Sequence, residues 1–167
     1  MFLSTSKKAV LFQVFFSRLG SILKGTAKHA ALTAAVMLDL QNAPLDSAMF
    51  YDARWGTSIY GSLFNPLTAQ PFPAYYGFLA FNELYRLGTQ AEVCCDDDGV
   101  YAAAAYRGTE GCLVVANTSA ADVPLKIETE GTVTECRILD GERLLSGCRL
   151  PEEIPANTVL CIRISLA

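Results

Sequence analysis

The side chains best suited to contact a polar ligand lie in one stretch, Met-Phe-Tyr-Asp-Ala-Arg-Trp-Gly at residues 49–56. The carboxylate of Asp52 and the guanidinium of Arg54 can hydrogen-bond hydroxyl groups, and the indole of Trp55 offers a flat apolar face. Tyr60 follows in the same predicted loop. The alternative, which the pattern favours, is a structural Asp–Arg pair that fixes the exit of a strand, with Trp55 packed in the core.

No catalytic residue is expected among the other reactive side chains. The single histidine, His29, lies in a run of alanines typical of a helix, which argues against Ser-His-Asp chemistry. Glu83 falls in a predicted helix, and Glu92 and Glu110 fall in or beside turns. The Asp-Asp-Asp-Gly run at residues 96–99 lacks the distal Glu of an EF-hand loop, so it predicts a solvated hairpin turn. We therefore expect neither a metal ion nor a cofactor.

The cysteines predict structural thiols. No two of them show the Cys-x-x-Cys spacing of zinc or redox sites, and most alternate with apolar neighbours, as small core residues do. Disulfides are the alternative. All six lie in the second half of the chain: Cys94, Cys95, Cys112, Cys136, Cys148 and Cys161.

Two helices are predicted around the stretch at residues 49–56. The first runs from Thr26, a suitable N-cap, to about Gln41, and it is nearly apolar all round, so it must be buried on more than one side. Pro44 stops it. The second spans residues 73–87, with proline in its first turn and Gly88 at its C′ position.

Between these helices, the short apolar run at residues 48–51 predicts a parallel strand buried on both faces. A long loop rich in Gly, Pro and aromatic residues follows at residues 52–73, and such loops are often functional. The order helix, strand, loop, helix is typical of a parallel α/β layer. Before it, residues 9–23 have the spacing of an amphipathic helix.

After Gly88 the pattern changes to short β candidates separated by turn signals, as in an all-β sandwich. We predict about seven strands, at residues 91–95, 100–106, 112–117, 123–129, 133–139, 143–145 and 158–165. The expected fold class is α+β, divided into an amino-terminal, helical segment (1–24), a helix–strand–helix segment (25–89) and a β-sandwich (90–167).

Charge argues against a nucleic-acid partner. Five of the 13 basic residues and none of the 17 acidic ones lie in residues 1–38, so the rest of the chain is strongly acidic.

Lys7-Lys8 and the apolar run after them resemble a secretory signal, but Arg18 follows without a cleavage site. No run reaches the roughly 18 apolar residues of a transmembrane helix. We expect a cytoplasmic protein, with secretion as the alternative.

Three segments carry a family resemblance. Residues 30–46, 48–56 and 73–88 resemble the carboxyl end of bacterial glycoside hydrolases of the β-xylosidase and α-L-iduronidase type, and the likeness extends from about Gly25 to the end of the chain. It implies that residues 26–41 match the seventh helix of a (β/α)₈ barrel, residues 48–51 the eighth strand and residues 73–87 the eighth helix, with a β-sandwich after them.

On that map, Asp52, Arg54, Trp55 and Tyr60 would lie at the carboxyl face of the barrel and contact a small saccharide. The family's two catalytic carboxylates come from earlier strands, and residues 1–24 contain no Asp or Glu. The resemblance thus implies the carboxyl-terminal part of a glycoside hydrolase that is inactive as an isolated chain. The alternatives are a carbohydrate-binding or protein-interaction module, or one half of an enzyme that another chain completes. A homo-oligomer could cover the surface left by the missing barrel.

Overall fold

The computed structural model describes residues 9–11, 23–50, 53 and 62–167. This part of the chain is α+β, as predicted. Two α-helices, α1 (Ala27–Asp39) and α2 (Pro73–Leu87), pack on a mostly antiparallel β-sheet. Two short parallel strands, β1 (Ala9–Leu11) and β2 (Ser47–Met49), lie on either side of α1 in the chain.

Both predicted helices are confirmed, and their ends follow from local chemistry. The Thr26 hydroxyl caps α1 by accepting the backbone N–H of His29 at 3.3 Å, and a 3₁₀ turn (Leu40–Asn42) extends the helix after Asp39. Pro73 occupies the first turn of α2, where its missing N–H leaves no bond unmade. Gly88 ends α2 in the left-handed conformation with φ of 85°, which glycine adopts at little cost.

The amino-terminal segment differs from its prediction. Ala9–Leu11 form a strand paired in parallel with Ser47–Met49, whereas an amphipathic helix was expected over residues 9–23. A short apolar run is compatible with either a helix or a strand, and here pairing with β2 stabilises the strand. Leu23 is helical, and residues 12–22 lie outside the described part.

Strand β2 is parallel, as predicted, but the expectation that it is buried on both faces is wrong. Ser47, Ala48 and Met49 are all exposed, and Met49 keeps 57% of its accessible surface. Burial on both faces needs covering layers and flanking strands. Among the described residues, β1 is the one strand that pairs with β2.

The carboxyl-terminal half contains eight strands: β3 (Thr89–Ala91), β4 (Val100–Arg107), β5 (Glu110–Asn117), β6 (Val123–Pro124), β7 (Thr132–Leu139), β8 (Leu144–Cys148), β9 (Glu153–Ile154) and β10 (Thr158–Ser165). Six form one antiparallel sheet in the order β3-β4-β5-β10-β7-β8, and β6 and β9 form a separate two-stranded ribbon. The predicted sandwich is therefore one large sheet and one small one. Strand β9 was not predicted, and β3 and β6 are displaced from or shorter than their predictions.

The central strands of the large sheet, β5 and β10, are mostly buried on both faces. On β5, Val114 and its alternate neighbours face the helices, while Val115 belongs to the cluster on the opposite face. Alanines on α1 and β4 let the helix approach the sheet closely. Gly77 of α2 lies against α1, where a Cβ atom would be only 3.3 Å from the carbonyl oxygen of Ala30. Small side chains thus set the spacing of the helical layer.

Candidate functional site

The four residues predicted to contact a ligand, Asp52, Arg54, Trp55 and Tyr60, lie outside the described part of the chain. The nearest described stretches of the chain are β2 with Phe50 on one side and residues 62–72 on the other. Phe50, directly after β2, packs edge-on against Phe78 of α2, with ring centroids 5.2 Å apart and an interplanar angle of 81°. Phe50 is therefore fixed to the amino-terminal half of α2.

The loop at residues 62–72 also leads to α2. The hydroxyl of buried Ser62 donates to the carbonyl oxygen of Phe64 at 3.0 Å and accepts its N–H at 3.3 Å. The side chain of Asn65 accepts two backbone N–H groups of the following turn. The ring of Phe64 then packs on Tyr75, at 5.4 Å between centroids. Local side-chain bonds thus hold the loop in an ordered turn beside the helix.

The aromatic residues of α2 do not form a single packing face between the helix and the sheet. Tyr76 and Phe81 pack on the core beneath the helices. Tyr75 and Phe78 instead contact the preceding loop and the residue after β2, and Tyr85 is 78% exposed. The first turns of α2 therefore contact Phe50 and Phe64, which are described residues on the two sides of residues 51–61 in the chain.

A ring of four charges, which was not predicted, lies farther along α2. Arg163 Nη2 lies 2.8 Å from Glu83 Oε2, and Arg137 Nη2 lies 3.1 Å from Glu83 Oε1. Glu135 closes the ring, 3.3 Å from Arg163 Nε and 3.6 Å from Arg137 Nε. Glu83 belongs to α2, Glu135 and Arg137 to β7, and Arg163 to β10.

The four charged side chains of this ring differ in how deeply they are buried. The side chains of Glu83 and Arg137 are 19% and 20% exposed, against 47% for Glu135 and 46% for Arg163. Desolvation disfavours the charged form of Arg137, but Cys161, Glu83 and Glu135 outweigh it and raise the pKa of the guanidinium. Both oxygens of Glu83 are occupied by arginines, so this carboxylate ties α2 to the sheet and is not available as a general base.

Two buried thiols adjoin the ring on its inner side. Cys112 Sγ lies 3.7 Å from Cys161 Sγ, and Arg137 Nη2 lies 3.5 Å from the same Cys161 sulfur. The hydrogen bond to Cys161 and burial raise the pKa of the Cys112 thiol. The bond from Cys112 and the charge of Arg137 outweigh desolvation and lower the pKa of Cys161. Since both side chains are almost completely buried, neither is placed to attack a substrate.

A cleft of about 470 Å³ separates the carboxyl-terminal half of α2 from the ends of β4, β5 and β10. Its lining includes Glu83, Arg86, Arg107, Glu110 and Arg163. Arg107 donates from Nε to the carbonyl oxygen of Leu87 at 3.1 Å, and Arg163 belongs to the ring. At least two of the three arginines therefore already bond groups of this chain.

The aspartates at residues 96–98 are exposed in a turn, as predicted, with Gly99 in the left-handed region at φ of 83°. No three His, Cys, Asp or Glu side chains converge as metal ligands among the described residues. Within the same residues, no helix has the length and apolarity needed to cross a membrane.

Comparison with known proteins gives a match in fold but not in sequence. No model of a protein family matches the chain, and no curated protein matches it. Among solved structures, a glycoside hydrolase family 30 subfamily 8 xylanase from Clostridium acetobutylicum matches with a TM-score of 0.72 at 12% identity, over 96% of this chain and 43% of the xylanase. A family 30 endoxylanase from Clostridium papyrosolvens gives 0.66 at 14% identity, over 85% and 39%.

A glucosidase from Croceicoccus marinus gives a TM-score of 0.64 at 13% identity, over 84% of this chain and 42% of the glucosidase. The chain thus spans about two fifths of the length of each of these proteins. At such low identity the likeness establishes the fold alone, and that fold is the one found in part of these glycoside hydrolases.

Proposed function

We propose that this chain forms the carboxyl-terminal part of a glycoside hydrolase architecture: the last βα units of a (β/α)₈ barrel followed by a β-sandwich. The observation that carries the proposal is that β1 and β2 are parallel, lie on either side of α1 in the chain, and are followed by α2, as in a barrel repeat. The proposed segments are residues 1–24, 25–89 and 90–167. The likeness in fold to part of several glycoside hydrolases supports the same assignment.

The exposure of β2 supports a covering partner. A parallel sheet normally has helices on its faces and is rarely stable as an isolated pair of short strands. Here β1 and β2 contribute three residues each, and all three residues of β2 are exposed. We propose that a second copy of the chain covers these strands. A separate chain carrying the rest of a barrel is the alternative partner.

Light scattering on the purified chain tests this part of the proposal. The wild type is expected to form an oligomer, and Met49→Asp, which places a charge on β2, is expected to shift it towards the monomer. Leu144→Asp is a matched control, because Leu144 is 42% exposed and lies on β8, in the six-stranded sheet. A wild-type monomer at all concentrations, or equal effects of the two variants, would reject self-association through β2.

We further propose that the isolated chain does not hydrolyse glycosides. Retaining glycosidases use two carboxylates about 5–5.5 Å apart, one as nucleophile and one as acid/base. Residues 1–24 hold no carboxylate side chain, and Glu83 is occupied by two arginines. The proposed role is that of one wall of a sugar site. Its location is proposed to be the cytoplasm, with secretion as the alternative.

The proposed saccharide contacts are Asp52, Arg54, Trp55 and Tyr60. Because Trp55 is the single tryptophan of the chain, intrinsic tryptophan fluorescence reports on this site alone. Xylose or arabinose is expected to shift its emission, and Asp52→Asn is expected to weaken that shift. Asp39→Asn, on the exposed end of α1, serves as the control. An emission spectrum unchanged at saturating sugar would support the structural Asp–Arg pair and reject sugar contact.

A further inference from the structure

Two cysteines lie opposite each other on β7 and β8, the last two strands at one edge of the large sheet. Cys136 on β7 and Cys148 on β8 are directly opposed in the antiparallel register, and their Sγ atoms are 3.4 Å apart. Directly opposed residues in such a pair have Cα atoms about 4.5–5.5 Å apart. That distance falls within the range of roughly 4.4–6.8 Å that a disulfide requires. We propose that Cys136 and Cys148 form a cross-linking site, which a low-molecular-weight disulfide oxidises to a bond between β7 and β8.

The two thiols differ in access. Strand β8 is an edge strand of the six-stranded sheet, and Cys148 on it is half-buried. Cys136 is only 4% exposed. Burial, followed by the hydrogen bond to Cys148, raises the pKa of the Cys136 thiol to about 12. Cys148 is therefore the thiol that meets the oxidant first.

The reaction consists of two thiol–disulfide exchanges. The Cys148 thiolate attacks one sulfur of the small disulfide, forms a mixed disulfide and releases one small thiolate. Cys136 then loses its proton to solvent and attacks the Cys148 sulfur, which releases the second small thiolate. The two protein thiols are oxidised, and the small disulfide is reduced to two thiols.

The other buried pair provides an internal comparison. The sulfurs of Cys112 and Cys161 are 3.7 Å apart, nearly as close as those of the first pair. Their register differs, however, because Cys112 is opposed to Arg163 and Cys161 to Val114. Diagonal neighbours of this kind have Cα atoms about 7–8 Å apart, at or beyond the limit for a disulfide. Cys112 and Cys161 are expected to stay reduced.

Mass spectrometry of the full chain tests the proposal. The folded protein, with the exposed Cys94 and Cys95 replaced by serine, is incubated with glutathione disulfide, alkylated in acid-quenched denaturant and digested with trypsin. Cleavage after arginine and lysine places the four remaining cysteines on separate peptides. Cys136 lies in residues 127–137, Cys148 in 144–149, Cys112 in 108–126 and Cys161 in 150–163.

The expected product is the peptide of residues 127–137 joined to that of residues 144–149, while the other two peptides are recovered alkylated. Cys136→Ser is expected to retain glutathione on Cys148, and Cys148→Ser is expected to leave Cys136 as a free thiol. Recovery of Cys136 and Cys148 as alkylated thiols in the otherwise intact protein would overturn the proposal. So would a cross-link between Cys112 and Cys161 that forms as readily.

Discussion

Replacing Glu83 by glutamine tests whether the ring of four charges holds α2 on the sheet. Glutamine keeps the shape of the side chain and one acceptor but removes the charge that faces Arg137 and Arg163. The bond to Arg137 joins two side chains that are only 19% and 20% exposed, and a hydrogen bond between charged groups in such a place contributes about 1.5–3 kcal/mol. The bond to Arg163, which is 46% exposed, is screened by water and adds at most about 1 kcal/mol.

We therefore expect Glu83→Gln to lower the free energy of unfolding by about 2 kcal/mol, which is on the order of 1 M in the urea midpoint. Glu135→Gln is the matched control, since it removes the other carboxylate of the same ring. Glu135 is 47% exposed and lies 3.3 and 3.6 Å from its two arginines, so its loss should cost less than about 1 kcal/mol.

Urea unfolding followed by far-ultraviolet circular dichroism measures both variants. In high salt, most of the effect of Glu83→Gln should persist and that of Glu135→Gln should fade, because buried pairs are screened less than exposed ones. Equal losses in the two variants, or a larger loss for Glu135→Gln, would refute the argument that burial decides the strength of these pairs.

Substitutions at two further positions test the helical layer and the hairpin between β7 and β8. Gly77→Leu should destabilise the protein by about 1–3 kcal/mol, because the larger side chain overpacks against α1. Gly77→Ala should stay within about 1 kcal/mol of wild type. Equal thermal unfolding midpoints for the two variants would contradict the close contact between the helices. Burial raises the pKa of Asp140, but the hydrogen bonds from Arg143 and two backbone N–H groups outweigh it and lower the pKa. The wild type should therefore be more stable than Asp140→Asn above pH about 4, and this difference should disappear as the pH falls through the lowered pKa of folded Asp140. Urea unfolding at several pH values measures the difference. A difference in the free energy of unfolding that does not change with pH would show that the charge is not involved.

The parts of the fold that local chemistry determines could be predicted from the sequence. Thr26 as a hydroxyl N-cap, Pro73 in a first turn and Gly88 in the left-handed conformation define helix ends without any tertiary contact. Strands β4, β5 and β10 were predicted as short β candidates separated by turn residues. The two-residue β9 has no pattern of its own and exists because it pairs with β6.

Features that depend on distant partners could not be predicted. The last strand, β10, lies between β5 and β7, and nothing in the spacing of the strands implies that order. The ring of charges depends on it, because the order of β7 and β10 brings Arg137 and Arg163 to Glu83. The sequence feature that could have indicated this ring is a charged residue at alternate positions of a strand that is otherwise apolar. The exposure of β2 likewise reflects neighbours that a local apolar run cannot reveal.

The proposed sugar contacts rest on the sequence alone. Asp52, Arg54, Trp55 and Tyr60 lie outside the described residues, so they stay predictions. Before and after them in the chain, Phe50 packs on Phe78 and Phe64 packs on Tyr75.

The measurement that tests the central proposal most directly is hydrolysis of aryl-xyloside and aryl-arabinoside by the purified chain. We expect release of the aryl group no faster than in the protein-free blank, because residues 1–24 contain no Asp or Glu and both oxygens of Glu83 contact arginines. Turnover above the blank that copurifies with the chain and is abolished by Asp52→Asn would contradict it.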